Sequence, residues 1–159
     1  MSTPEATLEP RFEQSPERVI AGLNETYTFQ TRMNIPKQWD RFGVYLNNVP
    51  SQVGKASYGV CWNFIPGKGF DYVTGVEVNS SANLPSEFIT VPLAAGKYAV
   101  FVHEKHVSEI PQTIQAIWSV WLPSSGMQIG ESPSFERYSE EFDPKTGTGG
   151  TEIWIPIRS

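Results

Sequence analysis

Cysteine is almost absent: Cys61 stands alone in 159 residues. One thiol cannot close a disulfide within the chain or build a cysteine-based zinc site, and it suits a reducing compartment. Histidine is nearly as scarce, with only His103 and His106. Three positions apart at a strand end, they point to opposite faces and do not share a metal. Positive charge is in deficit. Twelve Lys and Arg against seventeen Asp and Glu leave a net charge of −5 and a pI near 5.0. That disfavours nucleic acid as a partner, since phosphate binding needs clustered basic residues. No apolar run approaches the ~20 residues of a membrane helix. The acidic, polar start from Met1 to Pro10 has no secretory-signal character. The expectation is a cytoplasmic domain with no cofactor, no metal and no membrane contact. Catalytic signatures are missing as well: there is no G-x-S-x-G elbow, no P-loop, no G-x-G-x-x-G after a strand and no H-E-x-x-H.

Proline and glycine are abundant, thirteen of each. They cut the chain into short elements and exclude long helices almost everywhere. Residues 1–7 read as a loose tail and 8–159 as one domain. Arg18 to Thr28 alternates as a half-buried strand. Ile35, Trp39, Phe42, Leu46 and Val49 then fall on one face of a helix. Asn34 is its expected cap, Pro36 sits in its first turn and Pro50 stops it. Tyr58–Phe64 and Phe70–Val78 form a hairpin around Pro66-Gly67-Lys68-Gly69.

The same order then returns. Glu87–Pro92 and Lys97–Glu104 read as strands. A second helix, capped by Ser108 and ended at Pro123, carries Ile110, Ile114, Ile117, Trp118 and Trp121. Ser134–Glu141 and Thr151–Ile157 close the chain as strands, with Asp143–Gly150 as a mobile loop. Ile35, Pro36, Trp39, Phe42 and Leu46 recur 75 positions later as Ile110, Pro111, Ile114, Ile117 and Trp121. The fold class expected is α+β. It is a pseudo-two-fold tandem of two βαββ units, about 8–80 and 86–158, with both helices on one face of a mostly antiparallel sheet. Between such helices runs a groove, a common small-molecule site.

Two carboxylates lie among aromatics. Glu136 shares a strand face with Tyr138, and Glu152 shares one with Trp154. If the two strands pair, both acids and both rings converge into a cluster suited to an organic cation, or they form an ordinary solvated face. Cys61, in an apolar strand with no adjacent base, reads as an inert buried thiol.

Several segments resemble the GyrI-like small-molecule-binding domain, the effector-binding domain of AraC-type and MerR-type regulators. They are Val19–Leu23, Trp39–Phe42, Tyr58–Val60, Phe70–Val78, Ile117–Pro123, Phe135–Tyr138 and Glu152–Ile157. The resemblance implies a tandem of two units with the ligand between the helices. It implies an aromatic pocket with a buried glutamate that engages lipophilic cations. The matching positions are Glu152 and, second, Glu136, with Tyr58, Tyr72, Trp121 and Tyr138 as lining and Trp39 if its helix is turned that way. Regulators of this kind carry a helix-turn-helix module, and about seventeen residues before the first confident strand are too few for one. The expectation is therefore a stand-alone small-molecule binder that does not bind DNA alone and works without turnover. The resemblance leaves two alternatives: hydrolysis of strained electrophiles by Glu152 with Tyr138 or Tyr58, and inhibition through a protein partner.

Overall fold

A computed structural model describes residues 9–143 and 145–158; the expected tail, residues 1–7, lies outside them. Eight strands form one sheet: β1 (Arg11–Ser15), β2 (Arg18–Thr28), β3 (Gln52–Ile65), β4 (Gly69–Val78), β5 (Ile89–Leu93), β6 (Gly96–His103), β7 (Ser134–Tyr138) and β8 (Thr151–Pro156). Their order is β1-β6-β8-β7-β3-β4-β2-β5, and every pairing between them is antiparallel. The architecture is α+β, as the alternation of strand and helix patterns predicts.

The order forces the sheet to curl. β1 lies at one edge and β2 next to the other edge, yet only Pro16 and Glu17 join them. β5 and β6 are likewise at opposite ends, joined by Ala94 and Ala95. Two residues span only about 7 Å, so the two edges must approach each other. One sheet face becomes an inner face, where Ile20, Tyr58, Val73, Val91, Leu93, Tyr98, Phe135 and Trp154 pack as a single cluster drawn from seven strands.

The helices cover the other face. Register links Leu23, Thr74, Gly59, Glu136, Ile153 and Phe101 as one row across six strands. Side chains directly opposite in a ladder share a face, so this whole row points one way. α1 (Ile35–Phe42) packs Phe42 and Trp39 on Ala21, Leu23 and Val76 at one end. α2 (Ile110–Ala116) and the turn after it pack Ile110 and Ile117 on Ala99, Phe101, Ile153 and Ile155 at the other. Both helices therefore lie on the same face. Central strands β3 and β7 run between them.

Both helices differ from the sequence pattern. α1 ends at Phe42 and tightens into a 3-10 turn, Gly43–Tyr45. The chain then leaves helical conformation through Asn47, at φ 65°. Leu46 is consequently 41% exposed, while Val49 reaches the core from the irregular stretch that follows, where its carbonyl accepts from Gln52 N. Asn34 makes no side-chain cap. The second helix starts in a 3-10 turn whose cap is His106, its Nδ1 accepting from the Ser108 N–H at 3.0 Å. It runs on through a widened π turn (Ile117–Trp121) and a last turn, α3 (Leu122–Ser125), to Gly126 at φ 74°. Pro123 lies inside rather than at the end. A proline cannot donate to the carbonyl four residues back, and the widened turn immediately before it absorbs that missing bond. The Asp143–Gly150 loop is tethered: Gly147 O accepts from Val107 N at 2.9 Å, Asp143 bridges Thr148, and Gly150 O accepts from Ser139 N at 2.9 Å. Among the described residues, no helix is long and apolar enough to cross a membrane.

Candidate functional site

The strip between the helices holds the most unusual side chain of the molecule. Glu136, on central strand β7, is only 9% exposed. Its Oε1 accepts two hydroxyls, Tyr72 Oη at 2.9 Å and Tyr138 Oη at 2.8 Å. Trp39 Nε1 donates in turn to Tyr72 Oη at 3.1 Å. The Trp39 ring meets Tyr138 edge-on, with centroids 5.3 Å apart and planes at 81°. Trp39 thus faces the groove. Among the described residues, no polar side-chain atom is both sealed from solvent and unpartnered. Oε2 of Glu136 makes no hydrogen bond among them, so it is the oxygen that opens to the groove.

Glycine makes this geometry possible. Gly59 sits opposite both Thr74 and Glu136 in the ladders. A Cβ there would stand 2.1 Å from Tyr72 Oη and 2.9 Å from Glu136 Oε1. Tyr72 therefore leans diagonally across the bare glycine to reach a carboxylate two strands away. Gln38, buried in α1, anchors the same corner. Its amide accepts from Tyr27 Oη at 2.8 Å and donates to Leu23 O and Tyr72 O, each at 2.9 Å. That locks α1, and with it Trp39, at a fixed height above β4.

Burial raises the Glu136 carboxyl above its usual range, and the two tyrosine hydroxyls only partly offset this. Burial likewise pushes the Tyr72 and Tyr138 hydroxyls up, and the Glu136 charge adds to it. Cys61 follows Gly59 on the same face of β3, opposite Tyr72 and Ser134. It is half-buried, and burial plus the Glu136 charge hold its thiol protonated. Trp121 packs edge-on to Phe101, with centroids 5.0 Å apart.

The expected convergence of two carboxylates does not occur. β7 and β8 do pair, but the register sets Glu136 opposite Ile153 and Arg137 opposite Glu152. Side-chain parity then sends Glu136 and Tyr138 to the helix face, and Glu152, Trp154 and Tyr58 to the inner face. Glu152 there is an ion-pair partner. Its Oε2 accepts from Arg11 Nη2 at 2.7 Å, its Oε1 from Trp154 Nε1 at 3.0 Å, and Arg137 Nη1 lies 3.7 Å away. Burial pushes its carboxyl up, but Arg11, Trp154 and Arg137 together outweigh that and leave it below the usual range. Trp154 stacks on Phe135 in the inner core. The Tyr58 hydroxyl takes hydrogen bonds from Arg18 at 3.1 Å and Arg137 at 3.3 Å. Of the eight expected residues, Trp39, Tyr72, Glu136 and Tyr138 form one cluster, Trp121 packs on the neighbouring apolar cluster under the second helix, and Tyr58, Glu152 and Trp154 lie on the opposite face. Gly59, Cys61 and Gln38 were outside the expected site. The alternation Gly59-Val60-Cys61 is the signal that links the first two.

The fold is a curled eight-stranded antiparallel sheet with two helices on one face. Residues 8–158 match the family model of the GyrI-like small molecule binding domain, and the chain belongs to that family. A transcriptional regulator, BrlR of Pseudomonas aeruginosa, is 30% identical over 125 residues, 77% of this chain. The match spans 46% of that regulator's length. Among solved structures, SAV2435 bound to tetraphenylphosphonium superimposes with a TM-score of 0.76 at 22% identity, covering 96% of this chain and 95% of the other. The C-terminal domain of EcmrR does so with 0.68 at 13% identity, covering 96% and 99%. Both likenesses are of fold.

Proposed function

We propose that the chain binds lipophilic or aromatic cations in the groove between its helices, with Glu136 as the charge that selects them. The observation that carries this reading is the divided carboxylate: on a side chain only 9% exposed, Oε1 is saturated by two hydroxyls, while Oε2 takes no hydrogen bond from the described residues. A carboxylate out of water attracts positive charge far more strongly than one in it. Trp39 and the two tyrosines add ring faces and edges, each worth about 0.5–2 kcal/mol to a cation over a face. Neutral polar ligands and anions have little to gain, because the nearby hydroxyl protons are already committed to Glu136. The same commitment favours binding without turnover, since neither tyrosine is free to protonate a leaving group while Glu136 is ionised. That the fold neighbour SAV2435 holds tetraphenylphosphonium is consistent with this choice of ligand class.

We read the two halves as a duplication. Exchanging β1–β4 with β5–β8 turns the strand order into its own reverse, which supports a pseudo-two-fold running between β3 and β7. The ligand would then sit on that axis, touched by both units.

Trp39 provides the readout. Titration with tetraphenylphosphonium, followed by tryptophan fluorescence, is expected to saturate. Triphenylphosphine oxide, similar in its rings but uncharged, is expected to bind at least about tenfold more weakly, or about 1.4 kcal/mol. Equal affinity for both would overturn the cation reading.

A further inference from the structure

Charge is divided unevenly along the chain. Residues 26–70 carry five bases and a single acid, Asp40, in a chain of net charge −5. Two of those bases are engaged, Arg41 with Glu25 at 2.6 Å and Lys55 with Glu140 at 3.8 Å. The other three, Arg32, Lys37 and Lys68, are exposed and form no ion pair among the described residues. All three lie at one end of the sheet. Thr28 closes β2 opposite Gly69, and Gly69 faces Ile65 across the β3–β4 turn that holds Lys68. Arg32 opens the 3-10 turn (Arg32–Asn34) that follows β2, and Lys37 lies in the first turn of α1.

The same end is apolar and uncovered. Phe29, Met33, Phe64 and Ile65 are exposed, Met33 by 76% and Phe64 by 60%. A bulge puts Phe64 there. Between the pairs Trp62–Asp71 and Ile65–Gly69, β3 advances one residue more than β4, with Asn63 at φ 51° and its amide donating to Asp71 Oδ2 at 2.8 Å. In an unbroken ladder Phe64 would share the inner face with Trp62. The extra residue turns it towards Phe29, with ring centroids 6.0 Å apart, and Phe29 in turn lies 6.3 Å from Phe70. Exposed rings gathered beside unpaired bases mark a contact surface.

We infer that this end of the molecule docks on anionic lipid surfaces, with Phe29, Met33, Phe64 and Ile65 entering the headgroup boundary and Arg32, Lys37 and Lys68 meeting lipid phosphates. Charge complementarity selects this occupant. Each base near an anionic leaflet strengthens binding about fivefold, and the apolar tip adds burial at the boundary with the acyl chains. Of the acids flanking this end, Glu25 is paired with Arg41, and Asp71 accepts from Thr26 and Asn63. A symmetric contact with a second copy would set the three bases against their own counterparts. The expectation of no membrane contact rested on the lack of a spanning run, which surface docking does not need.

The test is co-sedimentation of the full chain with two kinds of vesicle: phosphatidylcholine alone, and phosphatidylcholine with about 30% phosphatidylglycerol. Binding to the anionic vesicles is expected to be at least about tenfold stronger, and salt at about 0.5 M to weaken it. Lys68→Gln is expected to lose about fivefold, and Phe64→Ser at least about fivefold. Both positions are exposed turn or bulge residues, and unchanged circular dichroism and melting temperature verify that each variant is folded. No sedimentation with the anionic vesicles, equal binding to both kinds, or binding that survives both substitutions unchanged overturns the inference. So does a dimer, seen by sedimentation velocity in place of vesicle binding, that the same substitutions break up. The fluorescence response to tetraphenylphosphonium is expected to be the same in both variants as in wild type, so failure here leaves the cation reading standing.

Discussion

Glu136 and Glu152 are chemically identical and sit on adjacent strands, yet their surroundings drive them apart. Glu152 meets two guanidinium groups and an indole N–H; Glu136 meets two neutral hydroxyls and little else. The consequence for stability has opposite sign. Glu136 has its carboxyl raised by burial, so its ionised form costs folding free energy above its folded pKa, and that cost vanishes as pH falls below the unfolded value. Glu136→Gln is therefore expected to melt at a higher temperature than wild type at pH 8, with the two curves converging near pH 4. Glu152 is lowered, so its contribution is present at neutral pH and is lost on acidification through its folded pKa. Thermal melts across that range check both signs. Neither sign was legible beforehand. Phe-Glu-Arg-Tyr and Glu-Ile-Trp-Ile announce acids among aromatics. Whether the two acids share a face depends on the β7–β8 register, and a shift of one residue would put both on the same face.

The helices show how far periodicity reaches. Their starts, Ile35 and Ile110 with proline next, are as the sequence pattern predicts. The five-position apolar stripe over Ile35–Val49 is not all helix. Gly43 and the left-handed Asn47 end it, and Val49 regains the core by another route. Gln38 gave no signal, because a glutamine on a helix normally reads as solvent-facing. Here it is 1% exposed and satisfies three groups of the sheet beneath. Replacing it with leucine keeps the volume but orphans buried acceptors and the Tyr27 hydroxyl. Gln38→Leu is expected to cost about 1–3 kcal/mol in urea unfolding. It is also expected to shift Trp39 emission, because α1 loses its fixed height over Tyr72. The π turn at Ile117–Trp121 was equally silent, since a lone proline near a helix end reads as a stop.

At the scale of the molecule, the sheet's curl separates two environments. The inner face is a packed core with its charges paired across strands: Arg11 reaches over β6 to Glu152, and Arg18 lies 5.6 Å above Trp154 while bonding Glu77. The outer face splits into two helix-covered clusters with a strip between them, and Trp39 packs against both. Antiparallel pairing and the two-helix layout were implied by the punctuation and the recurring element order, but the two βαββ units expected hold six strands where the sheet has eight, β1 being one that carried no clear alternation. The curl was not implied, because it arises from two-residue links between strands that lie at opposite ends of the order. The measurement that bears most directly on the whole account is calorimetric. Tetraphenylphosphonium is titrated into wild type, Glu136→Gln and Glu152→Gln, each first shown to be folded by circular dichroism. The account predicts affinity weakened about tenfold or more, roughly 1.4 kcal/mol, for Glu136→Gln and held within about twofold for Glu152→Gln. The reverse pattern, or full affinity without Glu136, would contradict it.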